Sequence, residues 1–123
     1  MKKKIIVVDD EPEILNLVKE ILERENYEVI TASDGYECLK KLEKVKPDLI
    51  IIDFFMPKMS GRVLCEKIRE NPKFSKTKIV FLTVAEFSKQ GLKKLKDLNV
   101  ADYIKKPFEV EEFIKRIKKI IIK

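Results

Sequence analysis

The chain has no histidine, three glycines and two cysteines among 123 residues. Three glycines leave neither a G-x-G-x-x-G turn nor a P-loop, which disfavours a dinucleotide- or nucleotide-binding fold. Cys38 and Cys65 lie in helical patterns, lack C-x-x-C spacing and have no histidine to complete a metal site. They read as reduced, small apolar packers rather than a disulfide. No apolar run approaches membrane-spanning length. The stretch Ile5 to Val8 behind Met1 and three lysines is too short for a signal peptide, so the expected location is cytoplasmic. Linkers, repeats, low-complexity tracts and arginine-rich stripes are also missing.

What is present is a soluble, well-folding composition, 45% hydrophobic and 39% charged, of a length that suits one domain over residues 1–123. The net charge of +6 raises nucleic acid as a partner. Lys89, Lys93 and Lys96 with Lys115, Lys118 and Lys119 could form the clustered basic face that such a module needs. Acidic protein partners explain the same lysines, and glutamates are interspersed along nearly every helix, so no direct nucleic-acid contact is expected.

Short apolar runs alternate with helical spacing. Ile5–Val8 reads as a strand buried on both faces, Tyr27–Ala32 as a second, Leu49–Ile52 as the central one, Ile79–Leu82 as the fourth and Tyr103–Ile104 as a short fifth. Asp10-Glu11-Pro12-Glu13 has the signature of a helix start, with Asp10 as cap. Asp34-Gly35 and Ser60-Gly61 open further helices, and a weaker helix from about Phe87 to Leu98 contains Gly91. The last helix begins after Pro107, with Val110, Phe113, Ile114, Ile117 and Ile121 as its core face. Five βα units with short loops predict an α/β fold, a doubly wound five-stranded parallel sheet.

In such a sheet the strand C-termini meet on one rim. Asp9 and Asp10 follow the first strand, Asp53 the third, Thr83 the fourth and Lys106 the fifth. Each has a plainer explanation taken singly: Asp10 as a helix cap, Asp9 as a loop acid, Asp53 as a turn residue, Thr83 as a strand former, Lys106 as one lysine among many. Gathered on one rim, three carboxylates with an ammonium and a hydroxyl suit a site that holds a divalent cation and receives a phosphoryl group.

Over essentially its full length the chain resembles the receiver domains of bacterial two-component response regulators. The matching segments are Val7-Val8-Asp9-Asp10-Glu11, Asp53 to Gly61, Thr83, and Asp102-Tyr103-Ile104-Lys105-Lys106-Pro107-Phe108. The resemblance implies a flavodoxin-like strand order 2-1-3-4-5, with Asp53 as phosphoryl acceptor and Lys106 and Thr83 binding phosphoryl oxygens. It also implies Mg²⁺ held by Asp10, Asp53 and the Phe55 carbonyl, with Asp9 orienting a bound water. Thr83 and Tyr103 would be the switch pair, and a cis peptide would join Lys106 to Pro107. The implied donor is a phosphohistidine on a sensor histidine kinase or phosphotransfer protein. A downstream protein would read the face of the fourth helix, fifth strand and last helix, on a monomer or a phosphorylation-dependent dimer.

Three positions depart from the family pattern. Val84 replaces a usually small residue and would narrow the phosphoryl entrance, while Phe55 and Ala85 stand where hydrolysis is tuned. Neither Phe55 nor Ala85 can orient a water or act as a base, which predicts slow self-dephosphorylation. A haloacid-dehalogenase-type phosphatase would also use a strand-end aspartate and Mg²⁺. It wants a second acid two residues on, where this chain has Phe55 after Asp53 and Glu11 after Asp9.

Overall fold

Every residue of the strand Leu49–Asp53 is buried, and this strand forms the centre of the sheet. The structure, a computed structural model, describes residues 2–84 and 87–122. In chain order the elements are β1 (Lys4–Val8), α1 (Pro12–Arg24), β2 (Glu28–Ala32), α2 (Gly35–Leu42) and β3 (Leu49–Asp53). There follow α3 (Gly61–Glu70), a 3-10 turn at Pro72–Phe74, β4 (Lys78–Thr83), α4 (Lys89–Asp97), β5 (Asp102–Lys105) and α5 (Val110–Ile121). All pairings are parallel, in the order β2-β1-β3-β4-β5, which is the flavodoxin-like arrangement expected.

Side chains alternate across the sheet, so each strand feeds two cores. Ile6, Val8, Ile50, Ile52 and Phe81 pack under Cys38, Leu64, Cys65, Ile68 and Leu95 of α2, α3 and α4. Ile5, Val7, Ile51, Val80 and Leu82 pack under Val18, Leu22, Phe113 and Ile117 of α1 and α5. The continuous apolar runs are the signature of strands covered on both faces. Cys38 and Cys65 are fully buried and free, and burial pushes their thiols up to about 12 and about 11.

Most helix starts follow the local sequence. Asp34 accepts from the Glu37 N–H at 2.8 Å, Ser60 from the Val63 N–H at 3.2 Å and Ser88 from the Gly91 N–H at 3.1 Å. Two expectations are corrected. The cap position of α1 is Glu11, with no side-chain cap bond; its N–H instead donates to Asp9 Oδ1 at 2.9 Å, which leaves Asp10 out of the capping role. Val110 is 44% exposed rather than core, standing at the first position of α5, while Phe108 packs on Phe113 with ring centroids 4.6 Å apart. In addition, α4 begins at Lys89, two residues later than the pattern suggested.

One tertiary feature has no local sequence signal. Arg69, near the end of α3, donates to three backbone carbonyls: Leu98 at 2.9 Å, Phe74 at 2.7 Å and Asn99 at 3.0 Å. It ties α3 to the C-terminal end of α4, whose last carbonyls would otherwise lack partners.

Gly61 is required by a close approach. A Cβ there would lie 2.5 Å from the Asp53 carbonyl oxygen and 2.8 Å from Phe54 Cα, both backbone atoms. The Gly61 N–H also donates to the Phe54 carbonyl at 2.8 Å, folding the β3–α3 loop back on its own strand. Gly61→Ala is therefore expected to destabilise the protein by about 1–3 kcal/mol, read as a lower urea midpoint at unchanged slope.

Candidate functional site

The parallel register sends the ends of β1, β3, β4 and β5 to one rim, and hydrogen bonds carry the pairing past the strands. Asp9 N–H donates to the Ala32 carbonyl at 3.2 Å, Phe54 N–H to Leu82 at 2.9 Å and Lys106 N–H to Thr83 at 2.7 Å. Asp9, Asp53, Thr83 and Lys106 are thus held by backbone ladders rather than by free loops. Asp9 and Thr83 have no exposed surface and Asp53 is 4% exposed; Asp10 is the most open of the acids.

Lys106 binds the cluster together. Its ammonium donates to Asp9 Oδ2 at 2.9 Å and lies 3.5 Å from Asp53 Oδ1, with the side chain only 10% exposed. Lys106 follows a strand and precedes a cis Lys106–Pro107 peptide. Burial alone would lower its pKa, but the Asp9 hydrogen bond and the charges of Asp9, Asp53 and Glu11 outweigh it and raise it. One carboxylate oxygen each from Asp9, Asp10 and Asp53 lie within 4.8 Å of one another. Three hard oxygen donors at this spacing are a set a divalent cation can bridge.

Asp53 carries the strain of this crowding. Burial, then the Asp9 charge and the hydrogen bond with Asp10, push its carboxyl up to about 7 from an ordinary 3.8, against Lys106 and the Phe55 N–H. The Phe55 N–H points to Asp53 Oδ1 from 3.4 Å. Phe55 and Val84 stand exposed at the rim, at 53% and 65%. Ala85 lies outside the described residues.

Tyr103 is not part of this cluster. It is half-buried on β5 opposite Phe81, on the sheet face of α2, α3 and α4, and its ring meets Phe87 edge-on at 5.3 Å. Phe87 in turn meets Phe54 at 5.0 Å, and Phe54 meets Phe55 at 5.0 Å. A run of edge-to-face rings therefore links the residue after Asp53 with Tyr103 through the segment that enters α4. The sequence pattern singles out neither Phe87 as a contact of Tyr103 nor Phe54 as a contact of Phe87. The available signal was the density of aromatic residues beside Asp53 and after Thr83.

Comparison with known proteins places this geometry in a family. The profile described as response regulator receiver domain matches residues 5–118. The alkaline phosphatase synthesis transcriptional regulatory protein PhoP of Bacillus subtilis is 43% identical over 98% of this chain, which covers 49% of that protein. The chain spans about half the length or less of the curated relatives it matches. The Vibrio cholerae chemotaxis protein CheY4 superposes with a TM-score of 0.91 at 32% identity, over 98% of this chain and 99% of that one. The receiver domain of sensor histidine kinase PA1611 from Pseudomonas aeruginosa, with a magnesium ion in its active site cleft, has a TM-score of 0.86. It covers 100% of both chains at 23% identity, a level that speaks for the fold alone.

The raised Asp53 pKa has a defined sign. Ionising this carboxyl is harder in the folded protein than in the unfolded chain, so its contribution to stability is greatest below pH about 4 and is lost as pH rises through about 7. In magnesium-free buffer, Asp53→Asn is expected to be more stable than the wild type at pH 8, with the gap closing towards pH 4. Thermal unfolding at both pH values checks it.

Proposed function

Because the chain belongs to the response regulator receiver domain family, the input module of two-component signalling, we propose that residues 1–123 act as one phospho-accepting unit with Asp53 as the acceptor. The observation that carries this reading is the Lys106 ammonium set between Asp9 and Asp53, with three carboxylate oxygens inside 4.8 Å. The unit accepts a phosphoryl group and passes on a signal, and is not a turnover enzyme.

The donor set fits Mg²⁺: the ligands are hard oxygens, few come from the protein, and Asp10 leaves one side open to water. Asp10, Asp53 and the Phe55 carbonyl would hold the ion, with Asp9 orienting a coordinated water. When bound, it would screen the repulsion between an acidic nucleophile and an anionic phosphoryl group. A carboxylate oxygen of Asp53 attacks phosphorus in line with the donor, the bond to the donor's imidazole nitrogen breaks, and that nitrogen takes up a proton. Lys106 meets one phosphoryl oxygen as a point charge, and the Thr83 hydroxyl donates to another. The Phe55 N–H, already aimed at Asp53, supplies a fixed backbone dipole.

With no histidine in the chain, the donor is a phosphohistidine on a sensor histidine kinase or a phosphotransfer protein. Engagement of Thr83 by the phosphoryl group is read out at Tyr103, on the same sheet face, and so at the surface of α4, β5 and α5 where a downstream protein docks. Phosphorylation-dependent pairing of two copies through this surface is the alternative readout. The setting is cytoplasmic, with no membrane or direct nucleic-acid contact; among the described residues no helix is long and apolar enough to cross a membrane.

Two outcomes follow. Incubation with Mg²⁺ and a small acyl-phosphate donor is expected to add one phosphoryl mass to the wild type and none to Asp53→Ala; equal gain in both would overturn the assignment. Phe55, half-exposed and unable to direct a water, makes the phosphoryl group long-lived. Phe55→Asn is expected to shorten its lifetime several-fold, by on the order of tenfold, in a decay followed by mass spectrometry.

A further inference from the structure

At the opposite rim, where strands begin, a cavity of about 520 Å³ opens to solvent. Lys3, Lys46, Lys73, Lys76 and Lys78 line it, and Asp48 is the one acid in its wall. This is a local excess of four positive charges out of six for the whole chain. The Asp48 carboxylate is turned to the backbone, accepting from the Lys4 N–H at 2.8 Å. Among the described residues, none of the five lysines is in an ion pair, although Lys106, Lys118 and Arg116 are, at 2.9, 2.6 and 2.7 Å.

Helix C-termini converge on the same rim and attract cations by their dipoles. Lys78 answers that pull directly, with Nζ 3.4 Å from the Ile121 carbonyl, and Lys73 lies over the Phe74 ring at 5.7 Å. Lys3 precedes β1, Lys46 and Lys76 sit on connecting segments outside the last turns of the helices, and the three have no such partner among the described residues. Like charges gathered around a concavity raise the local positive potential, which an anionic ligand would offset. Pro47 and Pro72 stiffen the two walls.

We propose that this cleft binds an oligophosphate chain, as in inorganic tripolyphosphate or the tail of a nucleoside triphosphate. Lysine ammoniums are compact point charges that suit phosphoryl oxygens at many angles. The cleft holds no arginine, the residue whose planar fork recognises carboxylates two oxygens at a time. The volume lies in the range of small-molecule sites and exceeds what a single phosphate fills. The local excess of four charges matches two or three linked phosphoryl groups, at on the order of 1 to 2 negative charges each. The cleft lies about 16 Å from the carboxylate rim, the length of a five-residue strand, so it does not share residues with the Asp53 site.

Titration of the ¹⁵N-labelled protein with tripolyphosphate in magnesium-free buffer tests this. Amide shifts are expected at Lys46, Asp48 and Lys73–Lys78, with those of Asp9 and Asp53 unchanged. The double variant Lys46→Glu/Lys76→Glu is expected to weaken binding about tenfold. Lys93→Glu/Lys115→Glu, the same charge change on exposed lysines elsewhere, is expected to leave affinity within about twofold. Circular dichroism and unfolding midpoints establish that both variants fold. Equal weakening by the two pairs, shifts centred on Lys106, or orthophosphate binding as tightly as tripolyphosphate would each overturn the proposal. Tighter binding of ATP than of tripolyphosphate supports a nucleotide source, and equal binding supports the phosphate chain alone.

Discussion

The Asp9 carboxylate has no exposed surface, and a charge so placed persists only with close partners. It has two: the Lys106 ammonium at 2.9 Å and the Glu11 N–H at 2.9 Å. These contacts join the first strand to the last across the sheet and fix where α1 begins. The same ammonium stands 3.5 Å from Asp53, so one cation is shared between two carboxylates while Asp10 adds a third. The rim therefore carries more carboxylates than its own lysine offsets, and burial, followed by the Asp9 charge, raises the Asp53 pKa.

The parts of this arrangement that could be read from the sequence are those written in local pattern. Ile5–Val8 and Leu49–Ile52 announce themselves because strands covered on both faces are apolar without interruption. The polar residue closing each run is then visible by contrast. Asp9 and Asp10 were harder to separate: adjacent aspartates before a Pro-led helix satisfy the same capping signature. Only the tertiary position of Lys106 and the direction of the Glu11 N–H decide that Asp9 is the buried one. Val110 differs for a similar reason, since helical periodicity does not reveal that the helix begins at this residue, at the exposed edge of the core. Phe87 was legible as an apolar residue but not as the ring standing between Phe54 and Tyr103, a contact made by segments from three parts of the chain.

The charge pattern is likewise not apparent from composition. A net charge of +6 suggests a uniformly basic protein. In the fold, three acids stand at the C-terminal rim of the sheet and five lysines at the N-terminal rim. The parallel topology is the cause: every strand contributes its leading residues to one end and its trailing residues to the other. An interspersed sequence thereby becomes a molecule with two poles.

Arg69 gives α4 a further property. Its guanidinium holds the carbonyls of Leu98 and Asn99, at one end of a nine-residue helix about 13 Å long. The other end, at Ser88, is secured by the local bond between the Ser88 hydroxyl and the Gly91 N–H. Between these two ends Leu92 and Leu95 pack α4 onto the sheet. Its first turn adjoins Phe87, so the placement of α4 and that of the aromatic residues beside the acidic rim are tied to one another.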